Sequence, residues 1–227
     1  MSIKTFVEKE MMGWSKEEIV FFPTILFGIL IVSVLAKDSP IATLSAIFGL
    51  TYTIIAGKGK ISCYFIGMIG TFCYSFIAFK NGFYGNLVLY MLYYLPMEII
   101  GILKWRKHLK KEVREIIKTR LSNKDRLIYT AIVVVLSVCL SFILKLFNGS
   151  TPFLDGTVTV LSIVGQLLTV KRCVEQWYVW FVVNLLSLVM WIFAYINGSN
   201  CFATIIMWAV YLVLSVYFLQ VWKREVK

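Results

Sequence analysis

Charged residues are scarce in this 227-residue chain. Asp, Glu, Lys and Arg together make up 15% of the sequence, whereas 59% of it is hydrophobic and 16% is aromatic. A soluble domain carries about 25% charged and about 45–50% apolar residues. The balance therefore excludes an ordinary soluble domain and predicts an integral membrane protein, with the lipid bilayer as its main partner.

Residues that typically build catalytic or metal sites are also few. The one histidine, His108, lies in a basic stretch, and no H-E-x-x-H or similar constellation occurs. The cysteines contain no C-x-x-C pair, so they predict no metal site and no disulfide framework. They are Cys63, Cys73, Cys139, Cys173 and Cys201. We therefore expect no enzymatic activity, no metal and no cofactor.

Long apolar runs dominate what is present. Eight of them occur, each near the ~17–25 residues that a membrane-spanning helix needs. They lie at 19–36, 41–56, 61–79, 83–103, 127–147, 154–170, 176–196 and 202–222. The first run exceeds the ~7–15 apolar residues of a signal peptide, so we interpret it as a retained span. The sequence predicts an all-α integral membrane protein with eight transmembrane helices.

The net charge of +11 is explained by the placement of the basic residues. If the N-terminus is cytoplasmic and eight spans follow, 20 of the 23 Lys and Arg residues lie on the inner side, and only Lys37, Lys80 and Lys145 lie outside. Such an excess is the usual topology signal of a membrane protein. It predicts cytoplasmic termini and a cytoplasmic linker at 104–126, and it argues against nucleic acid as the partner.

An internal repeat relates the two halves of the chain. A shift of 116 residues places Asn81-Gly82 on Asn197-Gly198. It also matches Thr43 with Thr159, Ile47 with Ile163, Gly49 with Gly165, Thr53 with Thr169, Phe65 with Phe181, Ala78 with Ala194 and Met91 with Met207. Spans 2–4 and 6–8 therefore form two copies of a three-helix unit. Span 5 adds one crossing and makes the copies parallel, an arrangement that places a transporter's substrate between the repeats.

These relations predict four segments. Residues 1–40 hold the N-terminal segment and an extra helix, and 41–103 form the first repeat. Residues 104–153 comprise the basic linker and the linker helix, and 154–227 form the second repeat. The architecture is thus one helix, three, one and three.

The run 175–195 carries an unusual polar and aromatic face. Trp177, Trp180, Asn184, Ser187 and Trp191 follow one another at spacings of three and four, which places them on one side of a helix. A buried amide without a partner costs a few kcal/mol, so Asn184 must be satisfied by the protein or by a ligand. A flat heteroaromatic ring that accepts a hydrogen bond fits this face. Helix packing with interfacial tryptophans is the alternative.

Two further spans carry polar residues at helical spacing. Thr159, Ser162 and Gln166 share one face of the sixth span, where they contact a ligand or bond neighbouring helices. In the fourth span, Asn86 and Tyr90 lie towards the outer side. We include all five among the candidate substrate-binding residues.

Glu98 lies in the inner third of the fourth span. A buried carboxylate is costly in a membrane and often functional, so Glu98 is also a candidate substrate-binding residue. It is near enough to the linker to pair with Lys or Arg instead, and both interpretations stay open. Because the central faces carry no group that titrates near neutral pH, we expect facilitated diffusion rather than ion coupling.

The residues of the second repeat resemble a known family. The run DGTVTVLSIVGQLLTVKRCVEQWYVWFVVNLLSLVMW at 155–191 is similar to the PnuC vitamin transporters, most specifically in its W-x-x-W-x-x-x-N element. The run NLVLYMLYYLPMEIIGILKW at 86–105 resembles the last span of that family's first repeat. The resemblance covers about residues 40 to 222.

This resemblance implies a fold and a function. It implies a bundle like the SWEET sugar transporters in a bacterial cytoplasmic membrane, with a central nicotinamide riboside site. Trp177, Trp180 and Asn184 would hold the substrate, with Gln166 close by, and a cytoplasmic kinase would trap it. Members that carry thiamine, riboflavin or deoxynucleosides leave the choice of vitamin open, and a homo-oligomer is also left open.

Overall fold

The structure, a computed structural model, describes residues 8, 10–80, 84–109, 115–146, 152–198 and 202–226. Within these ranges it does not describe the side chains of Ala78, Tyr84, Gly85, Asn86, Ala194 and Ala203. The described secondary structure is helical, and extended backbone pairs only in two isolated bridges, Leu109 with Ile116 and Thr119 with Cys173.

The helices follow the apolar runs of the sequence closely. They are α1 (Lys16–Leu35), α2 (Pro40–Gly57), α3 (Ser62–Lys80), α4 (Tyr84–Leu89), α5 (Leu95–Arg106), α6 (Asn123–Leu146), α7 (Pro152–Val170), α8 (Gln176–Ile196) and α9 (Phe202–Glu225). A π-helical turn, Tyr90–Tyr94, joins α4 to α5. The fourth predicted span is therefore one path of three helical pieces.

Seven helical stretches in the described part of the chain are long and apolar enough to cross a membrane. They comprise α1, α2, α6, α7, α8, Leu87–Arg106 and Thr204–Glu225. The eighth predicted span corresponds to α3, whose apolar part, Ser62–Ile77, is shorter. The described helices therefore have the length and composition that the predicted all-helical integral membrane protein requires.

The π-helical turn is the main departure from the predicted regular helix over 83–103. The Leu95 N–H donates to the carbonyl of Tyr90, five residues back, and Pro96 directly after it has no N–H to donate. Hydrophobic periodicity does not distinguish such a turn from an ordinary one. Single π-helical turns often occur at functional sites.

The chain divides into two compact units. Unit 1 is Met1–Ile117, and unit 2 is Lys118–Lys227. In unit 1, α1 packs on α2, α2 on α3, and α3 on the path from α4 to α5. In unit 2, α6 packs on α7, α7 on α8, and α8 on α9. The finer division into four segments stays a prediction.

Ion pairs and a backbone hydrogen bond connect the parts of unit 1 that were predicted to be cytoplasmic, namely the start of α1, the α2–α3 loop and the linker. Lys58, after α2, donates to both carboxylate oxygens of Glu18 at 2.9 and 3.0 Å. The completely buried Lys60 lies 3.5 Å from Glu115, and burial lowers its pKa below the usual value. The Ile116 N–H donates to the carbonyl of Gly59 at 3.0 Å. Linker residues therefore hold the α2–α3 loop of this unit.

In unit 2, backbone hydrogen bonds and an ion pair likewise connect the linker to the α7–α8 loop and to the end of α9. Thr119 donates its N–H to the Arg172 carbonyl and accepts from the Val174 N–H, both at 2.9 Å. The nearly buried Lys118 pairs with Glu225. In the structure α5 continues to Arg106 and α6 begins at Asn123. Between these helix ends, Lys118 and Thr119 are bonded to other parts of unit 2.

Candidate functional site

Trp180 is fixed against α7 by one hydrogen bond and one close contact. Its Nε1 donates to the Thr169 hydroxyl at 3.1 Å, and that hydroxyl donates to the carbonyl of Gly165 at 2.9 Å. A Cβ added to Gly165 would lie 3.1 Å from an indole carbon of Trp180. The glycine therefore lets the ring lie directly on the α7 backbone, and the threonine sets its orientation.

Asn184 is joined to α9 instead. Its Nδ2 donates to the backbone carbonyl of Tyr211 at 3.0 Å, and the residue is only 5% exposed. This bond supplies a partner that the sequence predicted the buried amide would need. The same bond links α8 to α9. Its acceptor is a main-chain carbonyl, so the hydrophobic periodicity of the α8 sequence could not identify it.

Trp177 packs into the interior of unit 2. Its ring centroid lies 5.2 Å from that of Phe218 and 5.7 Å from that of Trp222, and the residue is buried. Its Nε1 is also buried, and no acceptor within the described ranges lies in hydrogen-bond distance. A buried N–H without an acceptor costs about 1–3 kcal/mol, so the Trp177 indole has a donor that the described residues leave uncommitted.

The predicted polar face of α7 is mostly buried. Gln166 is 2% exposed and Ser162 is 9% exposed, whereas Thr159, two turns before Gln166, is partly exposed. The structure thus places these residues along one buried side of α7, next to the helix that carries Trp180.

The candidate residues of unit 1 have different surroundings. Tyr90 begins the π-helical turn and stacks on Tyr74, with ring centroids 4.3 Å apart and planes 27° apart. Glu98 is 4% exposed and accepts a 3.0 Å hydrogen bond from the Thr71 hydroxyl. No Lys or Arg within the described residues pairs with it, so the pairing with the linker stays one of two open interpretations. Asn86 lies on α4, but its side chain is outside the described residues.

The single face predicted for α8 is shared between two neighbouring helices. Trp180 is bonded to α7, whereas Asn184 and Trp177 contact α9. The residues that sequence reasoning missed are the ones on the other side of these contacts. Thr169 and Gly165 were visible only as repeat matches, and the Tyr211 carbonyl gives no sequence signal.

Each unit contains the same type of hydrogen bond at positions that the 116-residue repeat matches. Thr53 donates to the carbonyl of Gly49 at 3.1 Å in α2, as Thr169 does to Gly165 in α7. The residue that matches Trp180 is Tyr64, which is 4.9 Å from Trp105 between ring centroids. The threonine bond to the carbonyl four residues back therefore occurs at the matching position in both units, whereas the indole–amide set is present in the second.

These features define a multi-pass helical membrane protein with a polar, indole-lined face among apolar helices. Residues 39–224 match the family described as "Nicotinamide mononucleotide transporter". The chain belongs to this family, which is a family of transporters, and the resemblance that the sequence indicated is confirmed.

Individual relatives agree along nearly the whole chain. A protein of Neisseria mucosa named "Nicotinamide riboside transporter PnuC" is 34% identical over 95% of this chain and 84% of its own length. A Haemophilus influenzae protein of the same name is 30% identical over 95% of this chain and 93% of its own. A solved structure titled "Crystal structure of the Vitamin B3 transporter PnuC" matches with a TM-score of 0.84 at 31% identity, covering 100% of this chain and 98% of that one.

Proposed function

We propose that this protein carries nicotinamide riboside across the bacterial cytoplasmic membrane. The observation that supports this most directly is the placement of Trp177, Trp180 and Asn184 on α8, in a chain whose relatives bear that substrate in their names. Two indole rings and an amide supply stacking surfaces and hydrogen bonds for a flat carboxamide-bearing ring. Further polar groups for the ribose come from α7, on Gln166, Ser162 and Thr159. From unit 1, we include Tyr90 and Asn86 among the proposed substrate-binding residues.

The family description names the mononucleotide, whereas the relatives are named for the riboside. The two compounds differ by a phosphate, which proteins usually hold with Arg, Lys or a helix N-terminus. Neither α7 nor α8 contains Lys or Arg. Their polar groups are neutral amides and hydroxyls, and this chemistry favours the riboside.

We propose facilitated diffusion as the mode of transport. The candidate residues of α7 and α8 carry no side chain that titrates near neutral pH, so these faces offer no proton carrier. Phosphorylation inside the cell would then sustain net uptake, because the charged product lacks a matching site. Thiamine, riboflavin and deoxynucleosides are the alternative substrates on the same frame.

The proposal includes an arrangement in the membrane. We propose eight spans, with α2 to α5 and α7 to α9 as parallel repeats in a SWEET-like bundle, and with the termini and linker in the cytoplasm. The recurring bond of Thr53 and Thr169 supports the repeat. The placement of Lys and Arg supports the orientation. Both supports are independent of the choice of substrate.

Transport in liposomes tests the substrate and the mode together. Purified protein should equilibrate labelled nicotinamide riboside across the membrane and should not concentrate it, with or without an imposed proton or sodium gradient. Unlabelled riboside should compete, whereas the mononucleotide, thiamine, riboflavin and deoxynucleosides should compete poorly. Accumulation driven by a gradient would contradict facilitated diffusion. If another compound competed more strongly than unlabelled riboside, that compound would be the preferred substrate and the proposed one would be wrong.

A further inference from the structure

Two Glu side chains are buried among the residues that the structure describes, and they differ in their partners. Glu18 is 6% exposed and has the Lys58 ammonium 2.9 Å away. Glu98 is 4% exposed, and its described partner is a hydroxyl, Thr71. Its second oxygen, Oε2, is buried without any hydrogen-bond partner in the described ranges. Within the described residues of unit 1, one buried carboxyl side chain therefore has a counter-ion and the other does not.

The surroundings of Glu98 hold the carboxylate in a defined position. Thr71 donates to Oε1 at 3.0 Å. A Cβ added to Gly67, one turn before Thr71, would lie 2.8 Å from the same oxygen and 2.7 Å from a ring carbon of Tyr52. The glycine therefore provides the space that the carboxylate occupies between α3 and α5. One oxygen is fixed by this contact, and the other is left uncommitted.

A carboxylate in this position favours a cationic ligand. Removing an ionised carboxylate from water costs several kcal/mol unless an opposite charge and hydrogen bonds offset the loss. A substrate with a fixed positive charge faces the same cost in a membrane protein, because it cannot lose a proton to become neutral. Each charge would offset the desolvation of the other. A neutral ring of the same shape would gain nothing from the carboxylate.

We propose that Glu98 is the residue of unit 1 that selects for substrates with a permanently cationic heteroaromatic ring, through its uncommitted Oε2. This inference rests on the proposed function, because the pyridinium ring of nicotinamide riboside carries such a charge. Glu98 therefore has a selective role. Neutral nucleosides should bind more weakly than nicotinamide riboside because their rings carry no positive charge, and not because their shape is different. Thr71 acts as a positioning residue for Oε1.

The test compares two ligands that differ in ring charge. Nicotinamide riboside is cationic, whereas its 1,4-dihydro form is neutral and nearly the same size. Binding of both should be measured by calorimetry on the purified full-length protein, in wild type and in Glu98→Gln. The wild type should prefer the cation. In the variant, affinity for the cation should fall roughly 10- to 100-fold, the range for a charged hydrogen bond, while affinity for the neutral form should stay within about twofold of the wild-type value.

Ser75→Ala is the matched control on α3. Ser75 lies one turn after Thr71 and is also buried with an unpartnered hydroxyl, so its removal should leave the preference for the cation unchanged. Glu98→Asp keeps the carboxyl group and should keep the preference for the cation, which provides a test even if the Gln variant does not fold. Thermal unfolding should be recorded for every variant.

The outcomes separate this inference from the proposed function. If wild type binds both forms equally, or if Glu98→Gln weakens both equally, the charge-selective role is wrong and nicotinamide riboside remains the substrate. If wild type binds neither form, the proposed function itself fails.

Discussion

Thr169 accepts the indole N–H of Trp180 at 3.1 Å and donates its own hydroxyl hydrogen to the Gly165 carbonyl. One hydroxyl therefore couples the orientation of a ring on α8 to the backbone of α7. The bond and the close contact with Gly165 restrict the position and the tilt of the Trp180 ring.

Thr169→Val keeps the shape of the side chain but removes the acceptor. The Trp180 N–H is then stranded, at a cost of about 1–3 kcal/mol, and the ring is free to change its tilt. We expect affinity for nicotinamide riboside to fall about tenfold, measured by calorimetry, with a modest loss of thermal stability. Thr53→Val is the control, because Thr53 makes the same backbone bond in α2 and its matched ring position is Tyr64 rather than Trp180. An equal loss in both variants would contradict the role of the indole bond.

The close approach of Trp180 to α7 gives a second prediction. In Gly165→Ala, the new Cβ would lie 3.1 Å from the indole, tighter than ordinary contact, so the ring must shift by a few tenths of an ångström. We expect weaker substrate binding and a changed tryptophan emission spectrum. Overpacking of this kind typically costs ~1–3 kcal/mol of stability.

Gly28→Ala is the matched control for this change. A Cβ at Gly28, inside α1, meets no atom within 4 Å. Alanine is favoured over glycine in a helix interior by about 0.5–1 kcal/mol, so this variant should be at least as stable as wild type and should bind normally. Normal binding by Gly165→Ala as well would show that the position of the ring does not matter to the substrate.

The approximate start and end of most helices could be predicted from the sequence, because an apolar run that crosses lipid must have a minimum length. α8 begins and ends where the run at 176–196 does, and α7 differs from its predicted start by two residues. The π-helical turn at Tyr90–Tyr94 was not predictable, because an inserted backbone residue leaves composition and hydrophobicity unchanged.

The partners within the site were harder to predict than its members. Periodicity placed Trp180 and Asn184 on one side of α8, but a helical face does not specify which neighbouring helix covers each part of it. The acceptor of Asn184 is a main-chain carbonyl, which every residue possesses. Sequence distance leaves the linker residues open as partners of Glu98, and it does not indicate the Thr71 hydroxyl that helix packing brings beside the carboxyl group.

Buried Lys60 gives a prediction about pH. Burial lowers the pKa of Lys60 in the folded protein below the usual value of 10.5, so between the folded and unfolded pKa values the unfolded chain binds more protons. Stability contributed by this residue therefore rises with pH across that alkaline window. The thermal stability of wild type, relative to Lys60→Met, should increase as pH rises towards 10.5. A flat difference for Lys60→Met would contradict the lowered pKa.

The uncommitted N–H of Trp177 supports the last prediction. Trp177→Phe keeps an aromatic ring against Phe218 and Trp222 but removes the Nε1 donor, which has no acceptor in the described part of the chain. Loss of ring area lowers stability slightly, while loss of a stranded donor raises it, so the unfolding temperature should change little. If the substrate accepts this hydrogen bond, its affinity should fall by about 1–3 kcal/mol, or roughly 5- to 150-fold. Phe218→Leu is the control for altered packing at the same ring and should lower stability more than affinity. If Trp177→Phe binds the riboside as wild type does, Trp177 is a packing residue of unit 2, and the substrate contacts of α8 reduce to Trp180 and Asn184.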